Sequence, residues 1–178
     1  MTEKKLISWS KDSSSSRSYH FQLSPKLVGK INRKGLWSPN GFGELGNRKL
    51  RFNSNGKANM NLTVFDSSSQ EQLGKLIFFW KDFQKSQLEL KDGSIYVFRS
   101  LDLFRGVWSW IKQDAAHEQV IFSVDNPLHR SGNIEYESKD IPPLERDILL
   151  LLGLHLQHYI NIWLMTIGIV IVAVVTGS

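Results

Sequence analysis

Apolar and polar residues alternate in short runs from residue 19 to residue 136, and residues that favour turns separate these runs. Such alternation puts the apolar side chains of a strand on one face. A succession of short strands, spaced about 8–12 residues apart, is typical of all-β sandwiches and barrels. We therefore expect roughly ten to twelve strands in this part of the chain.

Two hairpins can be predicted with a register. Asp92-Gly93 is a strong signal for a two-residue turn, because a type I′ turn needs positive φ at both central positions. Such a turn would place Leu88 opposite Val97. In the stretch NSNGKANM, a three-residue loop would place Phe52 opposite Met60 and would keep the apolar face of that hairpin continuous.

The pattern changes after Pro142 and Pro143. Two prolines cannot continue a strand ladder, and the LERD sequence that follows supplies carboxylates where a helix N-terminus stabilises negative charge. Residues 148–175 contain no Asp, Glu, Lys or Arg. This pattern predicts a helix that begins near Leu144, continues to Val175, and is apolar on nearly every face.

The first part of this helix is predicted to fill a barrel. A helix that is apolar all round, attached to a sheet with one apolar side, favours a sheet closed around the helix. The predicted fold class is mainly β, a closed antiparallel barrel of about 12 strands around a hydrophobic C-terminal α-helix. The predicted barrel-core residues of the helix are Ile148, Leu149, Leu151, Leu152 and Leu156.

The middle of the helix is polar and its end is apolar. His155, Gln157, His158 and Asn161 fall within one arc of about 160°, which indicates contact with water or polar partners. Residues 162–175 are apolar but would reach only about 21 Å, against ~30 Å for a bilayer core. We interpret them as an apolar plug or a membrane anchor. The predicted membrane-facing residues are Trp163, Leu164, Ile167, Ile169, Val170, Ile171, Val172 and Val174.

Three segments follow from these patterns. Residues 1–18 are a polar N-terminal segment that we expect to be flexible, residues 19–161 form the barrel with its helix, and residues 162–178 are an apolar extension. The first 20 residues lack the apolar run of about 7–15 residues that a signal peptide needs. A cytoplasmic, membrane-associated protein is therefore predicted, with a C-terminal single-pass anchor as one form of association.

Positive charge is concentrated in the first third of the chain. The net charge is +5, but residues 1–58 contain 12 Lys or Arg and 3 Asp or Glu, whereas residues 59–178 contain 10 and 14. Cations interspersed with aromatic residues suit an anionic membrane surface, and they also suit single-stranded nucleic acid. The predicted headgroup-binding residues are Lys30, Arg33, Lys34, Arg48, Lys49 and Arg51.

No catalytic, metal or cofactor motif stands in a suitable context. The chain has no Cys, and its five histidines do not have the spacing of a metal site. GFGELG matches the dinucleotide-binding fingerprint, but a strand-like stretch follows it instead of a helix, so a glycine-rich turn is the better interpretation. No serine lies in a G-x-S-x-G motif. We predict a protein that is not an enzyme and has no cofactor.

The chain resembles the tubby C-terminal-like superfamily, which includes tubby-like proteins, phospholipid scramblases and plant LURP-one-related proteins. The resemblance rests on LELKDGSIYVFR, EQLGKLIFFW, GVWSWI and ERDILLLLGLHL. It implies a barrel of about twelve strands around a hydrophobic C-terminal helix. It transfers no individual binding residue to this chain.

Together, the tail, the charge distribution and the resemblance predict a non-enzymatic module that binds lipid or phosphoinositide at a membrane. Anionic membrane lipid is the predicted partner. Two alternatives stay open, namely a nucleic-acid-binding or transcription-linked barrel and a scramblase-like or lipid-carrying protein. The oligomeric state does not follow from the sequence.

Overall fold

The structure is a computed structural model that describes residues 4–11, 17–23, 26–35, 38–54, 61–79, 85–125, 131–137, 139 and 141–176. The side chains of Leu23, Lys26, Leu27, Met165 and residues 167–176 lie outside this description. The strands are β1 (Lys4–Lys11), β2 (Ser18–Leu23), β3 (Lys26–Arg33), β4 (Gly41–Leu45), β5 (Arg48–Ser54), β6 (Leu62–Asp66), β7 (Gln72–Phe78), β8 (Lys85–Leu90), β9 (Ile95–Asp102), β10 (Val107–Lys112), β11 (Val120–Val124) and β12 (Ser131–Glu137). One helix, α1 (Pro143–Thr176), follows them.

The twelve strands form one closed antiparallel barrel. Each strand pairs with its neighbours in sequence, and β1 pairs with β12 to close the sheet. Closure removes the free edges that could otherwise pair with another chain. The predicted fold class is confirmed, since the described residues form a mainly β, 12-strand antiparallel barrel with its C-terminal helix packed against the inner wall.

The N-terminal segment belongs to the barrel, which corrects the boundary predicted at residue 19. β1 pairs with β12 on one side and with β2 on the other. Its inward residues Ile7 and Trp9 are 5% and 1% exposed. In the sequence, the charged and polar residues around Ile7 and Trp9 made this alternation hard to recognise. Without β1 the barrel would remain open.

α1 runs through the interior of the barrel. Every residue from 148 to 161 is buried, and the five predicted barrel-core residues are each 1% exposed or less. The indole Nε1 of Trp110 donates a hydrogen bond of 2.9 Å to the carbonyl oxygen of Leu149. Because this stretch of the helix has no solvent-facing side, its burial supplies much of the hydrophobic stabilisation of the fold.

The polar residues of the helix are buried as well. His155, Gln157, His158 and Asn161 are 0%, 0%, 3% and 7% exposed, so they contact the barrel instead of water. Nε2 of His155 lies 2.7 Å from the carbonyl oxygen of Pro39, and Nε2 of Gln157 donates to the carbonyl oxygen of Gly106 over 2.8 Å. Backbone groups of the barrel therefore hold this part of the helix.

Glycines make room for the helix. A Cβ at Gly41 would lie 2.7 Å from the His155 ring, and one at Gly43 would lie 3.0 Å from the Leu151 side chain. Both residues face inward on β4, whereas Gly46 has φ of +56° in the turn that follows. In GFGELG, Gly41 and Gly43 thus allow β4 to lie close to α1, and Gly46 allows the turn.

Gly153→Ala should destabilise the protein by about 1–3 kcal/mol, because a Cβ at Gly153 would lie 2.3 Å from Phe122 and 2.5 Å from Nε1 of Trp110. The higher helix propensity of alanine opposes this cost by about 1 kcal/mol. Urea unfolding measures the difference. The matched control is Gly35→Ala, whose added Cβ would meet nothing closer than 3.5 Å. A Gly153→Ala protein as stable as the wild type would contradict this packing.

Both predicted hairpin registers are wrong. Leu88 pairs with Tyr96, because Leu90 bonds to Ser94 across the three residues 91–93, among which Gly93 adopts φ of +87°. Phe52 pairs with Val64, four positions from the predicted partner Met60, which lies outside the described residues. The observed register after β8 turns Tyr96 and Phe98 into the barrel and leaves Val97 outside.

Candidate functional site

The two ends of the barrel differ, because the helix enters at one and leaves at the other. Near the entrance, the Tyr96 hydroxyl donates a hydrogen bond to Glu145 in the first turn of α1. Where the helix leaves, Tyr159 lies 6.2 Å from Phe78, measured between ring centroids. We call this second end the distal end; there the odd-numbered strands end and the even-numbered strands begin.

Large apolar side chains are exposed at the distal end. Phe104, in the turn between β9 and β10, is 100% exposed, and Leu101 beside it is 44% exposed. Phe79 follows the end of β7 and is 42% exposed, and Trp163 on the emerging helix is 37% exposed. Of the six large apolar residues that are exposed in the described chain, these four surround the point where α1 leaves the barrel.

Basic residues outnumber acidic ones at this end. The described cations at the distal strand ends and turns are Lys11, Arg17, Arg33, Lys34, Lys85 and Arg105, and the described carboxylates there are Asp102 and Asp125. Among the described residues of this end, six cations and two carboxylates leave a surplus of four positive charges. Such a surplus attracts anionic surfaces.

Three of these cations lie at the ends of the first three strands, with Lys11 and Arg33 at inward-facing positions and exposed Arg17 one residue before β2. The Arg17 guanidinium donates a hydrogen bond to the Lys34 carbonyl oxygen over 3.4 Å. In β1, the inward residues Ile7 and Trp9 are followed two positions later by Lys11. The Arg33 amide donates a 3.1 Å hydrogen bond to the Arg17 carbonyl oxygen. The alternation that buries apolar side chains deeper in the barrel therefore places Lys11 and Arg33 on one side of its mouth, and Arg17 lies next to Arg33.

Arg33 is buried in this mouth, being only 6% exposed. Its guanidinium carbon lies 5.8 Å from the ring centroid of Tyr159, and Tyr19 is a second tyrosine close enough to influence its pKa. Burial lowers the pKa of Arg33, the two tyrosines raise it, and the nearby charge of Arg17 lowers it further. Tyr19 in turn stacks on His158 with 3.9 Å between ring centroids, so the mouth is rigidly packed on this side.

His155 is neutral within the same region. Burial, followed by the charge of Arg33, lowers its pKa to about 3, although the hydrogen bond with the Pro39 carbonyl oxygen acts in the opposite direction. A carbonyl oxygen can only accept, so Nε2 of His155 carries the hydrogen and donates it. His155 is therefore part of the packed mouth at neutral pH and adds no charge to it.

The six predicted headgroup-binding residues do not form one patch. Lys30 and Lys49 lie on the outer wall, each 3.6 Å from Glu44. Arg51, also on the outer wall, lies over the ring of Phe65 at 5.1 Å. Arg48 pairs with Asp66, Lys34 is exposed in the loop after β3, and Arg33 faces the mouth. The prediction grouped these cations because they are close in the sequence. Neighbouring side chains in a strand point to opposite faces of the sheet, so the cations are separated in the structure.

Lys11 and Arg17 were missing from the predicted site. The sequence contains a signal for them, since each lies two positions from an inward aromatic residue, Trp9 for Lys11 and Tyr19 for Arg17. That signal becomes useful only once β1 is recognised as a strand and its inward face is known.

The predicted membrane-facing residues fall into three groups. Trp163 is exposed, whereas Leu164 is partly buried against the core, which corrects its predicted exposure. The side chains of Ile167, Ile169, Val170, Ile171, Val172 and Val174 lie outside the described residues. In the part of the chain that the structure describes, no helix has both the length and the apolar character needed to cross a membrane.

A cavity of about 400 Å³ lies at the opposite end, beside the first turns of α1. Two guanidinium groups reach it, but each already faces a carboxylate, Arg48 with Asp66 at 3.3 Å and Arg146 with Asp147 at 2.8 Å. The charges around this cavity are thus largely balanced. Within the described residues, no three His, Asp or Glu side chains come together as a metal site would require.

In comparisons with known proteins, no family model, no curated protein and no solved structure matches this chain. The resemblance to the tubby C-terminal-like superfamily therefore stays a prediction.

Proposed function

We propose that this protein is a non-enzymatic, membrane-associated barrel that binds an anionic lipid surface with its distal end. The observation that carries the proposal is the exposure of Phe79, Leu101, Phe104 and Trp163 around the emerging helix. Exposed apolar side chains that cluster on one surface mark sites of contact with a protein or a membrane. Aromatic residues favour the headgroup level of a bilayer, where their rings meet both apolar and polar surroundings.

The charge of the same end supports lipid as the partner. Each cation near an anionic membrane contributes about 1 kcal/mol, and the distal end has a surplus of positive charge among its described residues. The side chain of Arg105, next to Phe104, is 85% exposed. An apolar tip flanked by cations can place Phe104 among acyl chains while Arg105 meets headgroup phosphates.

Phe104→Ala should weaken binding to vesicles of phosphatidylcholine and phosphatidylserine roughly tenfold, because burying a phenylalanine side chain contributes about 1.5–3 kcal/mol. Flotation of vesicles with the intact protein measures the bound fraction. Folding should be unaffected, since Phe104 is fully exposed in a turn. Added salt should weaken the binding of the wild-type protein by screening its cations.

The matched control is Leu6→Ala, which removes an apolar side chain that is 57% exposed at the far end of β1. This variant should bind vesicles as the wild type does. Equal binding by the wild type, Phe104→Ala and Leu6→Ala would overturn the assignment of the distal end as the membrane-facing surface.

A second candidate function is binding of single-stranded nucleic acid by the outer wall. Arg51 lies between Phe42 and Phe65 in one row across β4, β5 and β6, and Lys49 is its neighbour. Aromatic rings that alternate with cations can stack on bases and contact phosphates. An oligonucleotide that binds the protein and loses affinity on Arg51→Gln, while vesicles do not bind, would favour this function over the first.

A further inference from the structure

We propose that Lys11, Arg17 and Arg33 form an anion site in the distal mouth, and that this site takes a phosphate group. The group can belong to a lipid headgroup or to a soluble phosphate compound, since both present the same oxygens. As a headgroup site it rests on the proposed membrane function, whereas a site for a soluble phosphate would stand without it.

Pairing of the first three strands brings the three cations together. Lys11 is opposite Tyr19 in the β1–β2 pair, and Arg17, one residue before β2, accepts a backbone hydrogen bond from Arg33 at the end of β3. Tyr19 is near both Lys11 and Arg33, because Nζ of Lys11 lies 5.4 Å from its ring centroid and Tyr19 is close enough to Arg33 to raise the pKa of that guanidinium. The cations thus share one side of the mouth, with an aromatic ring fixed between them.

Neighbouring positive charges repel one another. Burial lowers the pKa of Arg33 first, and the positive charge of Arg17 lowers it further. The charge of Arg33 also lowers the pKa of His155. An anion at the mouth would offset this repulsion, most strongly where Arg33 is shielded from water.

The residue types suit phosphate. Two arginines present planar groups of N–H donors that match phosphate oxygens, and a lysine adds a compact positive charge. A phosphate monoester carries a charge of about −1.5 to −2 at neutral pH, which three cations can balance. Arg17 and Lys11 retain contact with solvent, so they can receive the anion, while buried Arg33 fixes the inner boundary of the site.

Ligand-dependent stability tests the site with inorganic phosphate as the probe. The intact protein is heated in phosphate and in sodium chloride of equal ionic strength, in mild detergent, and unfolding is followed by tryptophan fluorescence. Phosphate should raise the midpoint temperature of unfolding more than chloride does, because a ligand that binds the folded state stabilises it. Arg17→Gln should weaken the apparent affinity for phosphate roughly tenfold.

Arg51→Gln is the matched control, since it makes the same chemical change on the outer wall, and it should keep the phosphate effect. Lys11→Gln should behave like Arg17→Gln. These two variants avoid buried Arg33, whose replacement endangers folding. Phosphate that stabilises no more than chloride, or an equal loss in Arg17→Gln and Arg51→Gln, would overturn the anion site.

Vesicles of phosphatidylcholine with phosphatidic acid separate the two sources of phosphate. Binding that falls roughly tenfold in Arg17→Gln supports a headgroup site. Stabilisation by free phosphate through Arg17, without vesicle binding, supports a soluble phosphate ligand and refutes the membrane function. Vesicle binding that depends on Phe104 but not on Arg17 refutes the headgroup site and supports the membrane function.

Discussion

Leu152→Asp should prevent the protein from folding. Leu152 is fully buried in α1 at the centre of the barrel, and the described helix has no exposed residue between 148 and 161. A carboxylate placed there loses its hydration without gaining a partner, which costs several kcal/mol. Total stability of a domain is only about 5–15 kcal/mol, so this single cost can remove most of it.

Circular dichroism and thermal unfolding in mild detergent measure the effect. The control is Leu144→Asp, which makes the same change in the first turn of the same helix, where Leu144 is 36% exposed. Leu152→Ala keeps the comparison quantitative, because the cavity that it creates should lower stability by about 2–5 kcal/mol without introducing a charge. Normal melting of Leu152→Asp would show that α1 does not fill the barrel.

Stability should fall steeply in mild acid because of His155. The pKa of this residue is lowered to about 3 in the folded protein, below the ordinary value of 6.5. Between these values the unfolded chain binds a proton that the folded protein does not, so the stabilising effect of neutral His155 is present above pH 6.5 and lost as the pH falls towards 3. The free energy of unfolding should decrease by up to about 1.4 kcal/mol per pH unit in this window.

His155→Gln should make this pH dependence shallower, because glutamine retains an N–H donor for the Pro39 carbonyl oxygen and does not titrate. Urea unfolding between pH 7 and pH 4, in roughly unit steps, gives the two slopes. Asp66 and Glu118 also lose stabilisation in acid, since hydrogen bonds to Ser69 and to Arg99 respectively are the main causes of their lowered pKa values. The difference in slope between the wild type and His155→Gln gives the contribution of His155 separately from that of these carboxylates. Equal slopes in the wild type, His155→Gln and the outer-wall control His20→Gln would refute the assignment.

The core of the fold could be predicted because two simple patterns coincide. Alternation over residues 19–136 defines strands with one apolar face, and the uncharged stretch of 148–175 defines a helix without a polar face at its start. A sheet closed around a helix is the arrangement that buries both. The Asp92-Gly93 sequence also indicated a turn, but it did not determine the length of the loop. The predicted register of this hairpin was therefore off by one residue.

The sequence predicted the basic character of the candidate site, but not which residues form it. The first third of the chain is basic, and Arg33 does lie at the mouth. Neighbouring residues in a strand point to opposite faces, however, so the predicted group of six cations was divided between the outer wall, the mouth and the far end of the barrel. Phe104 and Trp163 both lie at the distal end although they are 59 positions apart in the sequence.

The sequence by itself determined the fold class and the buried helix, because hydrophobic periodicity depends on local spacing and burial follows from composition. Tertiary structure alone decided that β1 closes the barrel, that His155 and Gln157 bond to backbone carbonyls, and that Lys11, Arg17 and Arg33 share one mouth. These features depend on strand register and on which strand ends coincide. Register is set by the summed packing of all twelve strands against the helix, which local pattern does not contain.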